Sequence, residues 1–427
     1  MAKGTFCPFP FHSKDVAKMN NSHFTYTPAK ENSRSSTLRL LFAKNTLSRT
    51  EIAATLNIST AAVTVTTKSL LDAGILIPCE DSSQLQNMHK AGRKQALLSI
   101  TPNWKYVLAI EIFTDYVNLA VTDLLGYTII QKNFPAVESF PAPKSFCEAI
   151  SRECRLLIKS ADISPDRILG AGISVQGAVD HINGIAMNPY LMEGPVPFKE
   201  YFSELLQMPV AVESNVCSVL QSELTYRTHI ADHDNVLMLK WGPGVGSAMA
   251  IGGAIYKGYQ FQSPEIGHNT FSRGKGLRCR CGRRGCLETT ISEHVITSQI
   301  SRLLDAGKDS DLNQLAKKCG PPSANNLSAY LDADIPALRK LIQKCMEKLV
   351  NAVHNAVIIL APDQLVLYGQ FFKSDWIFQS FVEMLMERNP IIPKHFCVRN
   401  TTLNQKPFVG CTAVAIEQIL FSEDFSI

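Results

Sequence analysis

His268-Asn-Thr-Phe-Ser-Arg-Gly-Lys-Gly-Leu-Arg-Cys279-Arg-Cys281-Gly-Arg-Arg-Gly-Cys286-Leu-Glu288 sets three thiols within eight positions of one another, with an imidazole just upstream. Glycines between the cysteines let the backbone wrap tightly. Zinc takes sulfur and nitrogen ligands tetrahedrally, and three Cys with one His leave no open position for water. The pattern predicts a closed, structural Zn2+ site held by His268, Cys279, Cys281 and Cys286. The two flanking carboxylates, Glu265 and Glu288, put a polar site beside it.

Outward from this knot, the chain reads as an ordinary globular protein. Its 427 residues are 45% hydrophobic and 19% charged, with room for two or three domains. No apolar run is long enough to span a bilayer, and the first residues lack the continuous apolar core of a secretory signal. Nine of the twelve cysteines lie outside the knot, several inside apolar segments, as expected of reduced thiols in a cytoplasmic protein. The net charge of +4 is unevenly placed. Lys30–Ile100 carries nine Lys/Arg against five Asp/Glu, so this segment alone accounts for the excess. A basic N-terminal module on a neutral body points to a polyanion partner.

Residues 1–30 are rich in Asn, Ser, Thr, Lys and Pro and read as a flexible arm. Residues 31–102 read as a winged helix-turn-helix. Ser33–Lys44 carries Leu38, Leu40, Leu41 and Phe42 as one amphipathic helix. Ser48-Arg-Thr-Glu51 is a capping box opening a second helix. Asn57-Ile58-Ser59 turns the chain into a third helix, which Gly74 stops. Two short strands, Ile75–Cys79 and Gln95–Ile100, flank a polar loop ending in Gly92-Arg93-Lys94. In such a module the third helix enters the major groove and the wing reaches the minor groove of double-stranded DNA. Ser59, Thr60, Thr64, Thr67 and Lys68 on the helix, with Arg93 and Lys94 at the wing tip, are the expected DNA contacts.

From Trp104 onward strands and helices alternate. Strands are expected at Tyr106–Ile112, Tyr116–Thr122, Tyr127–Lys132, Ile168–Ser174, Val210–Glu213, Val236–Lys240, Ser247–Ile251 and Gln364–Tyr368. Helices are expected at Phe146–Ser160, Glu288–Leu304, Leu312–Lys317, Ala337–Leu360 and Gly410–Leu420. The pattern implies an α/β body in two lobes.

The winged helix, Gly242-Pro-Gly-Val-Gly246, Glu265-Ile-Gly-His268 and Cys279-x-Cys281-Gly-x-x-Gly-Cys286-Leu-Glu288 together resemble the ROK family of sugar repressors and sugar kinases, from about Asn32 to the C-terminus. The resemblance implies an actin/hexokinase-like two-lobed body: a small lobe of residues 103–212 plus 409–427, and a large lobe of residues 213–408 bearing the zinc site and an oligomerisation surface. It also implies a sugar site at Glu265, His268, Glu288, Asn215 and Gln176, the imidazole binding zinc through one nitrogen and a hydroxyl through the other. Asn188-Pro189 belongs to the opposite wall of that cleft.

Two kinase devices of that family are altered here. The turn after the first body strand, Asp-x-Gly-Gly-Thr in ROK kinases, reads Glu111-Ile-Phe-Thr-Asp115, without glycines to expose backbone amides to phosphate. The run Glu-Asn-Asp-Ala-Asn reads Glu213-Ser-Asn-Val-Cys217, which puts the amide of Asn215 where an aspartate would accept the sugar hydroxyl proton. The third device, Gly242–Gly246, survives, either as a phosphate loop or because a tight turn needs its glycines. The expected function is a non-catalytic, sugar-responsive repressor of carbohydrate-metabolism genes, a homodimer or tetramer. It would bind an operator and a sugar or sugar phosphate, with a sugar-transport protein as a further candidate partner. The alternative is a ROK kinase phosphorylating a hexose or N-acetylhexosamine with ATP.

Overall fold

A computed structural model describes residues 33–79, 96–114, 116–135, 142–187, 192, 194–230, 233–262, 264–271, 276–422 and 425. The arm, the wing-tip residues Arg93 and Lys94, Asp115 and Asn188-Pro189 lie outside the described residues.

The head comprises α1 (Ser33–Lys44), β1 (Thr46–Ser48), α2 (Arg49–Leu56), α3 (Thr60–Asp72), β2 (Leu76–Cys79) and β3 (Leu97–Ile100). Its local signals work as chemistry predicts. The Ser48 amide donates to Glu51 Oε2 at 2.7 Å, and Ser48 Oγ accepts from the Glu51 amide at 3.3 Å, closing the capping box. Asn57 adopts φ 52° to end α2, and Gly74 adopts φ 75° after α3. The head sheet has three strands in the order β1-β3-β2, one more than expected. A strand of three residues is too short to show alternation in sequence, and β1 exists because β3 pairs with it.

The body holds two five-stranded sheets. The first is built from β4 (Tyr106–Ile112), β5 (Tyr116–Asp123), β6 (Thr128–Pro135), β7 (Ile168–Val175) and β10 (Val210–Ser214). Between these run α4 (Pro143–Ser160), the small hairpin of β8 (Val179–Asp180) and β9 (Ile185–Ala186), and α5 (Phe198–Leu206). The strand order is β6-β5-β4-β7-β10, with β4, β7 and β10 parallel. After α6 (Asn215–Tyr226), the second sheet uses β11 (Val236–Trp241), β12 (Val245–Ile251), β13 (Ala254–Ile255), β14 (Gln364–Tyr368) and β15 (Cys397–Arg399). Its order, β13-β12-β11-β14-β15, repeats the first, again with three parallel strands and an antiparallel hairpin. Helices α7 (Glu288–Ile291), α8 (Glu293–Asp305), α9 (Ser310–Cys319), α10 (Leu327–Asp332), α11 (Pro336–Leu360) and α12 (Asp375–Arg388) accompany it. The chain ends through α13 (Thr402–Gln405) and α14 (Val409–Ala415), which continues as a π-helical turn over Ile416–Leu420.

Two expected helices therefore differ. Glu288–Leu304 breaks at Ser292, whose backbone is extended, so that the Glu293 amide can donate to Gly242 O at 3.0 Å. Gly410–Leu420 begins as α-helix and relaxes to π geometry. Helices α5, α6, α10, α12 and α13 have no counterpart among the expected helices, and α6 starts at the altered kinase motif itself.

The helices cross between sheets. Val216, Val219 and Leu220 of α6 pack on Val236, Met238 and Val366 of the second sheet. Cys411 of α14 packs on Ala109 and Ala120 of the first. This crossing depends on Gly172, where a Cβ would lie 2.0 Å from Cys411 O. The head is not a bead on a string: Leu38, Phe42, Leu70 and Ile100 share one apolar cluster with Val107, Leu124, Val414, Ile419 and Phe421 of the body.

Candidate functional site

The knot is assembled by backbone that only glycine allows. Gly282 and Gly285 adopt φ 85° and 74°. The Cys279 amide donates to Arg283 O at 2.8 Å, and the Gly282 amide to Cys279 O at 3.0 Å. The candidate ligand atoms of His268, Cys279, Cys281 and Cys286 all lie within 4.8 Å of one another. Cys279 and Cys286 are buried. Three sulfurs and one nitrogen converging this closely fit a tetrahedral cation site.

His268 sits on the 3-10 turn Ile266–His268. Its Nδ1 lies 3.6 Å from Cys279 Sγ, so this nitrogen faces the thiols. Its Nε2 lies 3.0 Å from Glu265 Oε2. The nitrogen expected to meet a hydroxyl is thus held by a carboxylate, an arrangement that fixes ring orientation. Gly267 between them is obligatory, since a Cβ there would lie 2.0 Å from Val245 O. Glu288, at the start of α7, bridges two parts of the site. Its Oε1 lies 3.9 Å from Cys279 Sγ, and its Oε2 accepts from the Val245 amide at 3.1 Å. A Cβ on Gly244 would come within 2.6 Å of that same Oε2.

Asn215 opens α6, with Ser214 as the cap accepting from the Cys217 amide at 3.4 Å. The first turn of α6 packs against the glycine strand, where a Cβ on Gly246 would lie 2.7 Å from Val216 Cγ2. Burial, then the Glu213 carboxylate and, least, that of Glu265 raise the Cys217 thiol of this turn to about 11. Gln176 is committed elsewhere: its Oε1 accepts from the Thr114 amide at 2.9 Å and from Thr114 Oγ1 at 2.6 Å. Glu265, His268, Glu288 and the Asn215 turn are thus neighbours in the second lobe, while Gln176 ties down the first hairpin.

Sequence reasoning missed the lysines. Lys240 is buried among Glu111, Glu288 and Glu293; burial lowers its pKa, which these acids oppose. Its Nζ lies 5.9 Å from the centre of the Phe113 ring. Burial raises Glu111 to about 7, opposed by a 3.0 Å hydrogen bond from Asn118 and by Lys240. Lys257 pairs with the buried Glu213, whose Oε1 accepts from the Ser214 amide at 2.8 Å. Burial lowers Lys257, but Glu213 and Cys217 together outweigh it and the ammonium stays above its ordinary value. No spacing rule links these partners, which lie on different strands and loops.

On the head, Ser59, Thr60, Thr64 and Lys68 are exposed. Thr67 is not: it is 0% exposed, donates to Val63 O at 2.7 Å and accepts from Arg49 Nε at 2.9 Å. This corrects its assignment as a DNA contact. Its spacing from Val63 and Leu70 marks the core stripe of α3 and was the available signal. Val65, 72% exposed beside Thr64 and Lys68, was overlooked. An exposed aliphatic group on this face suits contact with a thymine methyl.

The ROK family model matches residues 107–418. The chain belongs to the ROK family. A xylose repressor from Caldicellulosiruptor bescii is 22% identical over 415 residues, covering 94% of this chain and 99% of the relative. A ROK family transcriptional regulator described as a homologue of the Escherichia coli MLC protein superposes with a TM-score of 0.71 at 18% identity, covering 91% of this chain and 98% of that one. A ROK glucokinase from Streptomyces griseus, solved with glucose and AMPPNP, gives a TM-score of 0.61 at 16% identity over 73% of this chain and 99% of that one. Both likenesses carry the two-lobed fold. The regulator spans much more of this chain than the kinase does.

Proposed function

We propose that this ROK protein is a sugar-responsive, DNA-binding repressor of carbohydrate-metabolism genes and does not transfer phosphate. The observation that carries this reading is the state of the interlobe cleft. Asn215 offers no general base, Phe113 stands where the first phosphate turn needs glycine, and Lys240 is buried among Glu111, Glu288 and Glu293. Beside them Glu265, His268 and Glu288 remain held in place. A carboxylate pair held beside the imidazole and the thiol knot suits vicinal hydroxyls, and the Glu265 side chain, 41% exposed, is open to a ligand.

In this reading Zn2+ is held by His268 Nδ1, Cys279, Cys281 and Cys286 and supplies a rigid tie between the sugar carboxylates and α7. The head, residues 31–102, grips a palindromic operator in the cytoplasm as part of a homodimer or tetramer. The lobes, 103–212 plus 409–427 and 213–408, change their arrangement when sugar or sugar phosphate occupies the cleft. A sugar-transport protein trapping one arrangement would act through the same equilibrium. Ser59, Thr60, Thr64, Val65 and Lys68 meet the major groove in this reading, and Arg93 and Lys94 supply the further DNA contacts that their charge leads one to expect.

The test is fluorescence anisotropy on DNA from the protein's own control region, with a panel of sugars and sugar phosphates. A sugar should shift operator affinity, and Glu265→Ala should abolish the shift without weakening sugar-free DNA binding. Sugar-dependent ADP release that disappears in Glu265→Ala would overturn the reading.

A further inference from the structure

Helix α6 begins at the cleft and ends against the head. Its 12 residues span about 18 Å. At its start, Glu213 of β10 accepts from the Ser214 amide at 2.8 Å and pairs with Lys257, which follows β13. That pair joins the first sheet to the second. It is shielded from water, with side-chain exposures of 5% for Glu213 and 18% for Lys257. A second contact crosses beside it: the ring of His181, next to β8, lies 5.9 Å from that of Phe261. The segment that carries Lys257 and Phe261 is tightly wound, with φ of 63° at Gly258, 54° at Gln260 and 60° at Phe261. Left-handed backbone at two residues other than glycine is costly, and it persists where neighbours hold it.

At its far end α6 meets α1 of the head. Tyr226 donates its hydroxyl to Leu124 O at 2.8 Å, and its ring lies edge-on to Phe42 with centres 6.0 Å apart. Nearer the middle, Gln221 donates to Glu417 Oε2 at 3.3 Å. The same carboxylate receives both ends of the Arg39 guanidinium, at 2.5 and 2.8 Å. Between its ends the helix is packed against both sheets. Val216, Val219 and Leu220 lie on the second. Ser218 donates to Ser174 Oγ of the first at 3.2 Å. Glu223, 1% exposed, accepts from Asn400 Nδ2 at 2.7 Å. A helix clamped in this way passes a displacement along its length, because close-packed contacts have discrete arrangements.

We propose that α6 carries the state of the cleft to the DNA-binding head, and that the Glu213–Lys257 pair at its start sets its position. This rests on the sugar-responsive reading above and names its route. The pair bridges the two sheets, so it is made or broken as the lobes close or part. Glu213 is joined to the helix by the chain itself and by the Ser214 amide. A shift there reaches Tyr226 and Gln221, whose contacts hold α1 through Phe42 and through the Arg39–Glu417 pair. Leu38 and Phe42 of α1 share one apolar cluster with Val63 and Leu70 of α3, so α1 in turn positions the helix read as entering the major groove. The pair is present without sugar, the state in which a repressor holds its operator. Breaking it should therefore weaken DNA binding from the far end of the helix.

The experiment is a mutant cycle on the full-length protein, read as operator affinity by fluorescence anisotropy on DNA from its own control region. Glu213→Gln with Lys257→Gln keeps size and removes both charges, so no buried charge is stranded. Without sugar this variant should bind the operator roughly 2- to 30-fold more weakly than the parent. Tyr226→Phe keeps the ring against Phe42, loses the bond to Leu124, and should weaken binding as well. Combined, the changes should cost less than the product of their separate effects, since both act through one helix. Thermal melts of each variant confirm that the fold is kept. The proposal is overturned if the charge-free variant binds as tightly as the parent or tighter, or if the two effects multiply in full. A separate arm adds the sugar panel, including xylose, glucose and glucose 6-phosphate. No response to the panel, alongside coupled losses in the cycle, would overturn the sugar reading and leave α6 as the link between lobes and head. A sugar response that persists at full size in the charge-free variant would overturn the route and leave the sugar reading standing.

Discussion

The two lobes repeat one strand order, and each opens with a hairpin, yet the two hairpin turns have been settled in opposite ways. Between β4 and β5, Phe113 packs on Tyr116 with ring centres 4.5 Å apart, and Gln176 takes the Thr114 amide. Between β11 and β12, Gly242-Pro-Gly244 keeps its glycines, but the Val245 amide goes to Glu288. Both turns thus direct a backbone amide to a side chain of the protein itself. The first is closed by bulk. In the second, Gly244 leaves the space that the Glu288 carboxylate fills, and Gly246 makes room for Val216. Packing alone therefore explains Gly244 and Gly246, whereas a Cβ on Gly242 would meet nothing closer than the Gln370 amide nitrogen at 3.7 Å. A glycine-rich loop is evidence of close approach, and the approaching group here is an internal carboxylate.

The comparison breaks most readily at the thiol knot. Among the described residues the second lobe alone carries such a cluster, so if it holds the proposed zinc, chelation, or Cys286→Ser, should raise hydrogen exchange across β11, β12 and α7 while β4–β6 stay protected. A local loss of about 3 kcal/mol corresponds to a drop in Tm of roughly 6–12 °C. Equal deprotection of both lobes would show that the knot braces the whole body. Gly267→Ala comes next. Its Cβ would meet a carbonyl oxygen 2.0 Å away, and the backbone shift should cost roughly 1–3 kcal/mol and weaken sugar binding, as read by urea unfolding and titration.

Glu288→Gln should lower sugar affinity about 10-fold while Gln176→Ala, at the other turn, lowers it less, since Gln176 spends its oxygen on Thr114. Comparable losses would move the pocket's centre toward the first lobe. A smaller effect concerns pH. Glu111 rises from its ordinary 4.5 to about 7 on folding, so its ionisation opposes the folded state. Its contribution is most favourable below about pH 4.5 and is lost progressively up to about pH 7. Glu111→Gln should flatten that part of the stability profile, measured by urea unfolding at pH 5 and pH 8. The smallest expected effect is none. Phe113→Gly with Thr114→Gly restores glycine to the first turn, yet sugar-dependent ADP release should stay at background while Asn215 remains.

Legibility in the sequence followed the range of the interaction. Capping at Ser48 and Glu51, the turn at Asn57-Ile58-Ser59 and the stop at Gly74 are effects of a few residues' reach, and each formed as read. The thiol knot was legible because its ligands are contiguous. Thr67 was misread by composition, although its spacing from Val63 already placed it in the core. Strand β1 and the break at Ser292 had no local signal. The first needs β3 as a partner, and the second answers a hydrogen bond to Gly242. The lysines of the site were silent for the same reason: Lys240 and Lys257 acquire meaning only beside Glu111 and Glu213.

By itself the sequence determined the cluster of His268 with the three thiols, the capped helices of the head and the absence of the kinase's aspartate and first glycine turn, because each is written in residues close together whose chemistry is local. Tertiary structure alone decided which nitrogen of His268 faces the thiols, what fills the space at Gly244, and that Arg39 on the head grips Glu417 near the chain's end. Those outcomes depend on elements far apart in sequence meeting at ångström range, where burial and the exclusion of water give a charge its partner.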